Sequence, residues 1–526
     1  MRHATVVSAV FIAAASQAFA APQASLEVLG TYRTGVFDQG AAEIVAYDPL
    51  TRRVFVVNAA ATSVDVLDIA NPALPTLVST IDAGALGDSA NSVAVKNGLV
   101  AVAIQADVKT DPGVVAIYDS TSLKLLRTFP AGALPDMVAF SPDGKSILAA
   151  NEGEPNADYS IDPEGSITYI DLSRGLAKAK AFQFGFRDFE HKREKILASG
   201  VRVFGPNASL AQDFEPEYIT FSADSRFAWV TLQENNAIAK VDLGMWYITQ
   251  ILPLGTKDYA AAGNAFDPSD RDGGALIGNW PVRGLYLPDT IASYRVNGKT
   301  YLVTANEGDA RDYSTFAEEA RVKDLTLDPT VFPNRADLRK DPAIGRLNVT
   351  KTMGDIDGDG DYDALYAFGA RSFSIWNEQG QQVFDSGSEF EDLIANVATP
   401  YFNSDHAESD SADSRSDNKG PEPEGLAVGE HNGRVYAFIG LERQSGIVVY
   451  DVTDPVAPVF QHYLNNRDFT VPTQLANGST NPAAGDLGPE GLAFISAQDS
   501  PSGEPLLVVG NEISGTTTFY RLKFVD

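Results

Sequence analysis

One short pattern recurs along most of the chain and leaves few folds open to it. EIVAYD (43–48) leads to RRVFVVNA (52–59) and SVDVLDI (63–69), and NSVAV (91–95) leads to GLVAVAI (98–104) and GVVAIYD (113–119). The same order returns in DMVAFSPDGKSILAANEG (136–153) with GSITYIDL (165–172), and in EYITFSADSRFAWVTL (217–232) with AIAKVDL (237–243). It appears again in DTIASYRVNGKTYLVTANEG (289–308), in EGLAVGEHNGRVYAFIGL (424–441) with GIVVYDV (446–452), and in EGLAFI (490–495) with PLLVVGNE (505–512) and TTTFYRL (516–522). Alternating apolar residues broken by Gly, Asp and Asn turns are the mark of antiparallel strands. Units of about four strands repeated in this way are propeller blades.

Seven first-strand starts fall at about 43, 91, 136, 217, 289, 424 and 490. The last unit runs out after three strands, and SLEVLGTYRT (25–34) supplies the missing outer strand, which would close the ring and remove an open edge. The sequence therefore predicts an all-β, seven-bladed β-propeller closed by the N-terminal strand. ALYAFGA (364–370) and RSFSIWN (371–377) supply either further strands of the fifth unit or an eighth blade. A β-sandwich, or two smaller β domains, is the competing architecture, but sandwiches lack such regular repetition. The propeller spans 21–526, with insertions at about 257–284, 309–363 and 385–420. The last of these, with DHAESDSADSRSDNKG (405–420), reads as a mobile loop. The only helix-like charged run lies in 182–213.

The repeat also places its acids. In an antiparallel pair, the start of the first strand and the end of the second lie on one side of the disc. Glu217, Glu424 and Glu490 stand at first-strand starts, as do Asp136 and Asp289; Glu152, Glu307, Glu442 and Glu512 stand at second-strand ends. All should meet around one mouth of the central channel. Carboxylates so crowded need cations, arginines or protons to coexist. Hard oxygen ligands favour Ca²⁺, and less specifically Mg²⁺ or Mn²⁺. The expected mouth ligands are Glu152, Glu217, Glu307, Glu424, Glu490 and Glu512. The alternative is that each Glu caps nearby backbone N–H groups in a hydrated funnel.

A second acidic motif is local. In GDIDGDGDYDAL (354–365), Asp355, Asp357, Asp359 and Asp363 alternate with glycines, and Asp361 can offer its backbone carbonyl. That spacing folds oxygens around one Ca²⁺. It departs from an EF-hand, because Tyr366 takes the place of the final Glu and a strand follows. The expectation is a structural calcium loop within a β-protein; a solvated acidic turn is the alternative.

Other chemistries are disfavoured. The sequence contains no HExxH pair, no GxSxG elbow, and no Gly-rich phosphate loop between strand and helix. Its five histidines are scattered. With no cysteine there is no disulfide, thiolate ligand or thiol nucleophile. A net charge of −30 repels nucleic acid and attracts cations. MRHATVVSAVFIAAASQAFA (1–20) has the basic start, apolar run and small-x-small end of a cleaved signal peptide. Later stretches do not reach a spanning length, so the expected product is periplasmic or extracellular and does not cross a membrane. Arg311, Arg371 and Arg443 fall near mouth-side loops and are the expected clamps for an anion such as phosphate, with charge balancing as the alternative role for each.

LPDMVAFSPDG…NEGEPNADY, LPDTIASY…NEGDARDY, GDIDGDGDYDALYAFGARSFSIW and GPEPEGLAV…GLERQSGIVVYDV together resemble the choice-of-anchor I family of bacterial exported proteins. They are also similar to mesenchyme-specific cell-surface glycoproteins associated with calcified skeleton formation. The resemblance implies a β-propeller, export, calcium and an alkaline phosphatase-like activity. "PEG" before a strand is also similar to esterase-like phytase propellers. The family's C-terminal anchor is not expected, because the sequence runs to RLKFVD, a strand end. The absence of cysteine keeps the mechanism of calcium–iron propeller phosphatases from being carried over. Three functions follow as expectations. The first is a metal-dependent phosphoesterase acting on a small phosphorylated substrate. The second is a calcium-dependent adhesion, matrix or biomineralisation module. The third and weakest is a lactonase-like hydrolase.

Overall fold

Two adjacent residues with positive φ turn the first hairpin of several repeats. Asn97-Gly98, Asn297-Gly298 and Asn432-Gly433 all lie in the left-handed region, with φ between 51° and 79°. That is the tight turn whose twist matches paired strands, and asparagine and glycine reach it most cheaply. The computed structural model describes residues 23–525, and the expected signal peptide lies outside the described residues. Within them are seven four-stranded antiparallel sheets.

Their innermost strands are Val45–Asp48, Ser89–Lys96, Pro135–Phe140, Pro216–Phe221, Ile291–Val296, Pro423–His431 and Pro489–Ile495. Each touches the next, and the seventh touches the first, so the described strands form a closed cycle. The fold is a β-propeller, and these sheets are numbered below as blades one to seven. Blade seven is completed by Gln23–Arg33, which pairs antiparallel with Thr516–Val525.

The second strands are apolar on both faces because each blade is covered on both sides by its neighbours. Phe55 and Val57 of blade one meet Val100 and Val102 of blade two in one buried cluster. Ala101 and Ala103 on the opposite face of blade two meet Ile147 and Ala149 of blade three. Each fully buried aliphatic side chain contributes about 1.5–3 kcal/mol over an exposed one. The core is therefore a ring of inter-blade layers.

The insertions do not hang loose. Thr256–Asp258, Arg283–Leu285, Tyr366–Ala367, Asn348–Thr350 and Glu319–Arg321 make a separate five-stranded sheet. Tyr366–Ala367 belongs to that sheet, and Ser372–Asn377 is the third strand of blade five. The cycle of innermost strands closes without the extra sheet.

The expected mobile loop is replaced by packed structure. Helix Glu389–Val397 sinks Phe390 and Ile394 into the core of blades five and six, along with Phe402. Beyond it, Ser and Asp side chains satisfy their own backbone, as when Asp405 accepts from the Ala407 N–H and Ser416 donates to Asp413. A polar composition suggested mobility, but these local bonds and the buried Phe390 and Phe402 hold the segment down. No helix among the described residues is long and apolar enough to cross a membrane.

Candidate metal centre

The acids of the first ring stand on β-bulges. In blades three, four, six and seven the register slips just after Pro135, Pro216, Pro423 and Pro489. Each slip releases the next residue from the ladder: Asp136, Glu217, Glu424 and Glu490. A bulge of this kind re-aims a side chain, and proline is tolerated at a strand's first residue because it has no N–H to donate. Blade one does the same by another route. The Glu43 N–H donates to Val57 O, and the Val57 N–H donates to Ile44 O, so two residues face one. In blade five Asp289 precedes the first paired residue, where the Ala305 N–H donates to Thr290 O. Blade two slips between Ala90 and Ser92, and the released residue is Asn91.

The glycine of "PEG" has its own task. A Cβ on Gly425 would lie 2.1 Å from Glu490 O, and one on Gly491 would lie 2.5 Å from Glu43 O. Proline opens the strand, glutamate bulges inward, and glycine lets the adjacent inner strand approach.

A second ring follows the paired ends of the second strands. Glu152, Gln233, Glu307, Glu442 and Glu512 come directly after Asn151, Leu232, Asn306, Leu441 and Asn511. Blade one places Ala59 there, and in blade two the residue following Ile104, the pair of Ala90 beside the bulge, is Gln105. The two rings line a funnel of about 530 Å³ that holds Glu152, Glu217, Glu307, Glu424, Glu490 and Glu512 together. Asp136, Asp289, Asp309 and Glu442 share its wall, and so do Lys419, Arg443 and His406.

These acids outnumber their cations. Burial first, then neighbouring carboxylates, push Glu152, Glu217, Glu424 and Glu490 well above the usual range. The same causes raise Glu43 to about 8 and Asp136 to about 7. Burial raises Glu307 to about 8 despite Lys419. Lys419 Nζ lies 2.5 Å from Glu307 Oε1 and 2.9 Å from Glu422 Oε2. Arg443 Nε lies 3.1 Å from Glu442 Oε1 and 3.3 Å from Glu422 Oε2. Against the pull of burial, Lys419, Arg415 and Arg443 hold the Glu422 carboxyl well below its ordinary value.

One oxygen each of Glu217, Glu424 and Glu490 is buried without a hydrogen-bond partner. Unmatched buried carboxylate oxygens are costly, and their hardness suits a divalent cation such as Ca²⁺. The donor set therefore fits the expected metal.

The three expected arginines part ways. Arg443 is in the funnel wall. Arg311 is 3% exposed and is consumed by Asp213 at 2.7 Å and Glu215 at 3.0 Å. Arg371 gives its donors to Glu391 at 2.6 Å and to the carbonyls of Asp267, Ser416 and Asn418. Neither Arg311 nor Arg371 lines the funnel, so both are corrected from anion clamps to staples of the insertions. Their buried counter-charges lie too far off in sequence to be foreseen.

Sequence reasoning passed over His406 and Lys419, both in the segment read as mobile. His406 Nε2 sits 2.5 Å from Arg443 Nη1, and its Nδ1 sits 3.2 Å from Glu442 Oε1. Arginine can only donate, so Nε2 is the acceptor in that contact, while Nδ1 is buried near Glu442 without a hydrogen-bond partner.

The Asp-rich loop lies elsewhere, and none of its aspartates lines the funnel. Asp355 accepts from the N–H groups of Gly358 and Gly360, and Asp363 accepts from Ile356. Asp357 and Asp359 accept from Asp359 and Asp361 backbone N–H groups. Asp361 and Asp363 present carboxylates within 4.8 Å of one another and of Asp328. Asp328 reaches them because Leu327 bridges to Tyr362, a pairing invisible in the motif itself.

Gigasin-3a of Magallana gigas is 31% identical over 195 residues, covering 36% of this chain and 68% of that protein. The mesenchyme-specific cell surface glycoprotein of Strongylocentrotus purpuratus is 28% identical over 282 residues, 47% of this chain and 36% of its own. The chain thus matches about a third of that glycoprotein's length. Among solved structures, Kuenenia stuttgartiensis hydrazine synthase is similar at TM-score 0.46 and 12% identity, over 93% of this chain and 99% of that one. The Cps50 (Swd1) β-propeller domain of Myceliophteria thermophila is similar at TM-score 0.45 and 8% identity, over 95% and 100%. The choice-of-anchor I domain model matches residues 43–455, from the first inward acid, Glu43, past the third strand of blade six, Ile447–Asp451, and the chain belongs to the choice-of-anchor I family.

Proposed function

We propose that this is an exported propeller that holds a divalent cation, Ca²⁺ foremost, in its acidic funnel and hydrolyses phosphate monoesters there. The observation that carries the reading is the set of unpartnered buried oxygens on Glu217, Glu424 and Glu490, in a funnel whose wall also bears Lys419 and Arg443. Those three glutamates, with Glu152, Glu307 and Glu512 beside them, would hold the ion. A bound divalent ion supplies phosphate affinity, a more acidic bound water and compensation of developing charge. Lys419 and Arg443 orient the phosphate oxygens, and Arg443 holds the His406 ring through its Nε2. A further Ca²⁺ at Asp361, Asp363 and Asp328 pins the insertion and takes no part in chemistry.

The test is turnover of p-nitrophenyl phosphate by purified protein, with metal content measured in parallel. Chelator-sensitive hydrolysis that returns with Ca²⁺ supports the reading, and its absence across pH 7–10 removes it. One observation favours a second reading, a calcium-dependent adhesion, matrix or mineral module. Lys419 and Arg443 are already paired with Glu307, Glu422 and Glu442, which lowers their call on a phosphate. The cell-surface designation of the sea-urchin relative agrees with it. Large calcium-dependent stabilisation without turnover of phosphate esters or lactones would select this second reading over both hydrolases.

A further inference from the structure

The carboxylate ring has a gap, and the gap is built. The bulge position carries an acid in every blade but the second, where Asn91 takes the place of Glu43, Asp136, Glu217, Asp289, Glu424 and Glu490. At the second-strand ends of the same sector stand Ala59 and Gln105. A ring made only to trap cations has no use for a neutral sector.

This sector faces an axial cavity of about 340 Å³, lined by residues of all seven blades, that shares Asp136, Glu152, Asp289, Glu424 and Glu490 with the main funnel. That volume is at the small end for ligand pockets. Two further acids, Glu43 and Glu154, stand in its wall, and its neutral polar groups are gathered on Ser89, Asn91 and Gln105 of blade two and on Tyr218. The Asn91 amide reaches only Pro135 O, at 3.3 Å. Among the described residues no side-chain hydrogen bond engages Ser89, Gln105 or the Tyr218 hydroxyl. The order of blades sets this neutral sector across the axis from the boundary of blades five and six, where Lys419 spans from Glu307 to Glu422.

Resting on the phosphoesterase reading, we propose that the mouth is bipartite: the sector of Ser89, Asn91 and Gln105 is the subsite for an uncharged, polyhydroxylated carbon skeleton, and the phosphate it carries points toward Lys419 and Arg443. The substrate class is the small sugar or polyol phosphate. Free amide and hydroxyl groups beside carboxylates match hydroxyls that both donate and accept. An aryl group would leave them unpaired.

The experiment uses the full chain loaded with Ca²⁺. KM is measured for p-nitrophenyl phosphate, glycerol 2-phosphate and glucose 6-phosphate with wild type, N91A and Q105A. Thermal melts check that each variant is folded, and N91S replaces N91A if it is not. KM should rise about tenfold for the two hydroxylated esters, the loss of a hydrogen bond or two, and stay unchanged for the aryl ester. Equal changes for all three, or none, overturn the subsite while hydrolysis stands. If wild type turns over no ester, calorimetric titration with glucose 6-phosphate decides. Binding weakened about tenfold by N91A keeps the subsite and discards hydrolysis; no binding to wild type discards both.

Discussion

Lys419 Nζ sits 2.5 Å from Glu307 Oε1, joining the segment before blade six to the end of the second strand of blade five. Both side chains are 11% exposed, so the pair is largely removed from solvent. Replacing Lys419 with Met leaves Glu307 and Glu422 facing each other across a buried site. The expected loss is about 3–5 kcal/mol in a urea titration of metal-free protein. A loss below about 1 kcal/mol would class the pair with ordinary surface ion pairs.

The raised carboxyls set a pH dependence. Glu43 and Glu307 stand at about 8, Asp136 and Glu512 at about 7, and Asp289 at about 6. Unfolded carboxyls titrate near 4. The folded protein keeps protons that the unfolded chain has already released, so this contribution is full below about pH 4 and is lost as pH rises through about 6 to 8. Thermal melts of chelated protein should fall across pH 5–9, whereas Ca²⁺, replacing those protons, should flatten the curve. Parallel curves with and without the ion would contradict this.

Two arginines should separate cleanly. Arg311→Met removes the partner of buried Asp213 and Glu215 and should cost about 3–5 kcal/mol of stability without raising KM for phosphate esters. Arg443→Ala should raise KM about tenfold and cost less stability than Arg311→Met, because Glu422 keeps Lys419 and Arg415 as partners. Steady-state kinetics and melts on both proteins check the split.

Glycine after the bulge is the most sensitive backbone position. Gly425→Ala puts a methyl 2.1 Å from Glu490 O and must move one inner strand. The expected penalty is about 1–3 kcal/mol. Calcium affinity should fall as well, measured by equilibrium dialysis, because the displaced carbonyl belongs to a ligand residue.

Asp328→Asn should remove one bound Ca²⁺ per chain in the same dialysis without changing turnover, because Asp361 and Asp363 lose their third carboxylate. An unchanged stoichiometry would leave the Asp-rich loop a solvated turn.

Strand periodicity was enough to place Glu217, Glu424 and Glu490 together, because alternation and turn residues report directly on which end of a strand meets the axis. It also exposed Pro-Glu-Gly as a unit. It did not reveal the bulge, which is a property of pairing between two strands. That is why Asn91, in the unremarkable NSVAV, passed unnoticed as the counterpart of Asp136. Arg311 and Arg371 were misplaced because nearness to a loop says nothing of where a long side chain turns. Their partners, Asp213 at 98 positions' distance and Glu391 at 20, lie outside any local window. His406 and Lys419 were hidden by composition, since a Ser- and Asp-rich stretch looks alike whether solvated or folded onto itself.

The pairing of Gln23–Arg33 with Thr516–Val525 brings Glu27 against Arg521, 494 positions further along. A contact that remote forms late during folding, after nearly the whole chain has been synthesised. Until it forms, the disc is an open arc and the two neighbouring acids at the seam, Glu490 and Glu43, have no fixed separation. Ion capture would then be a report that the circle is complete, and a nascent or clipped chain would hold the same glutamates without the affinity.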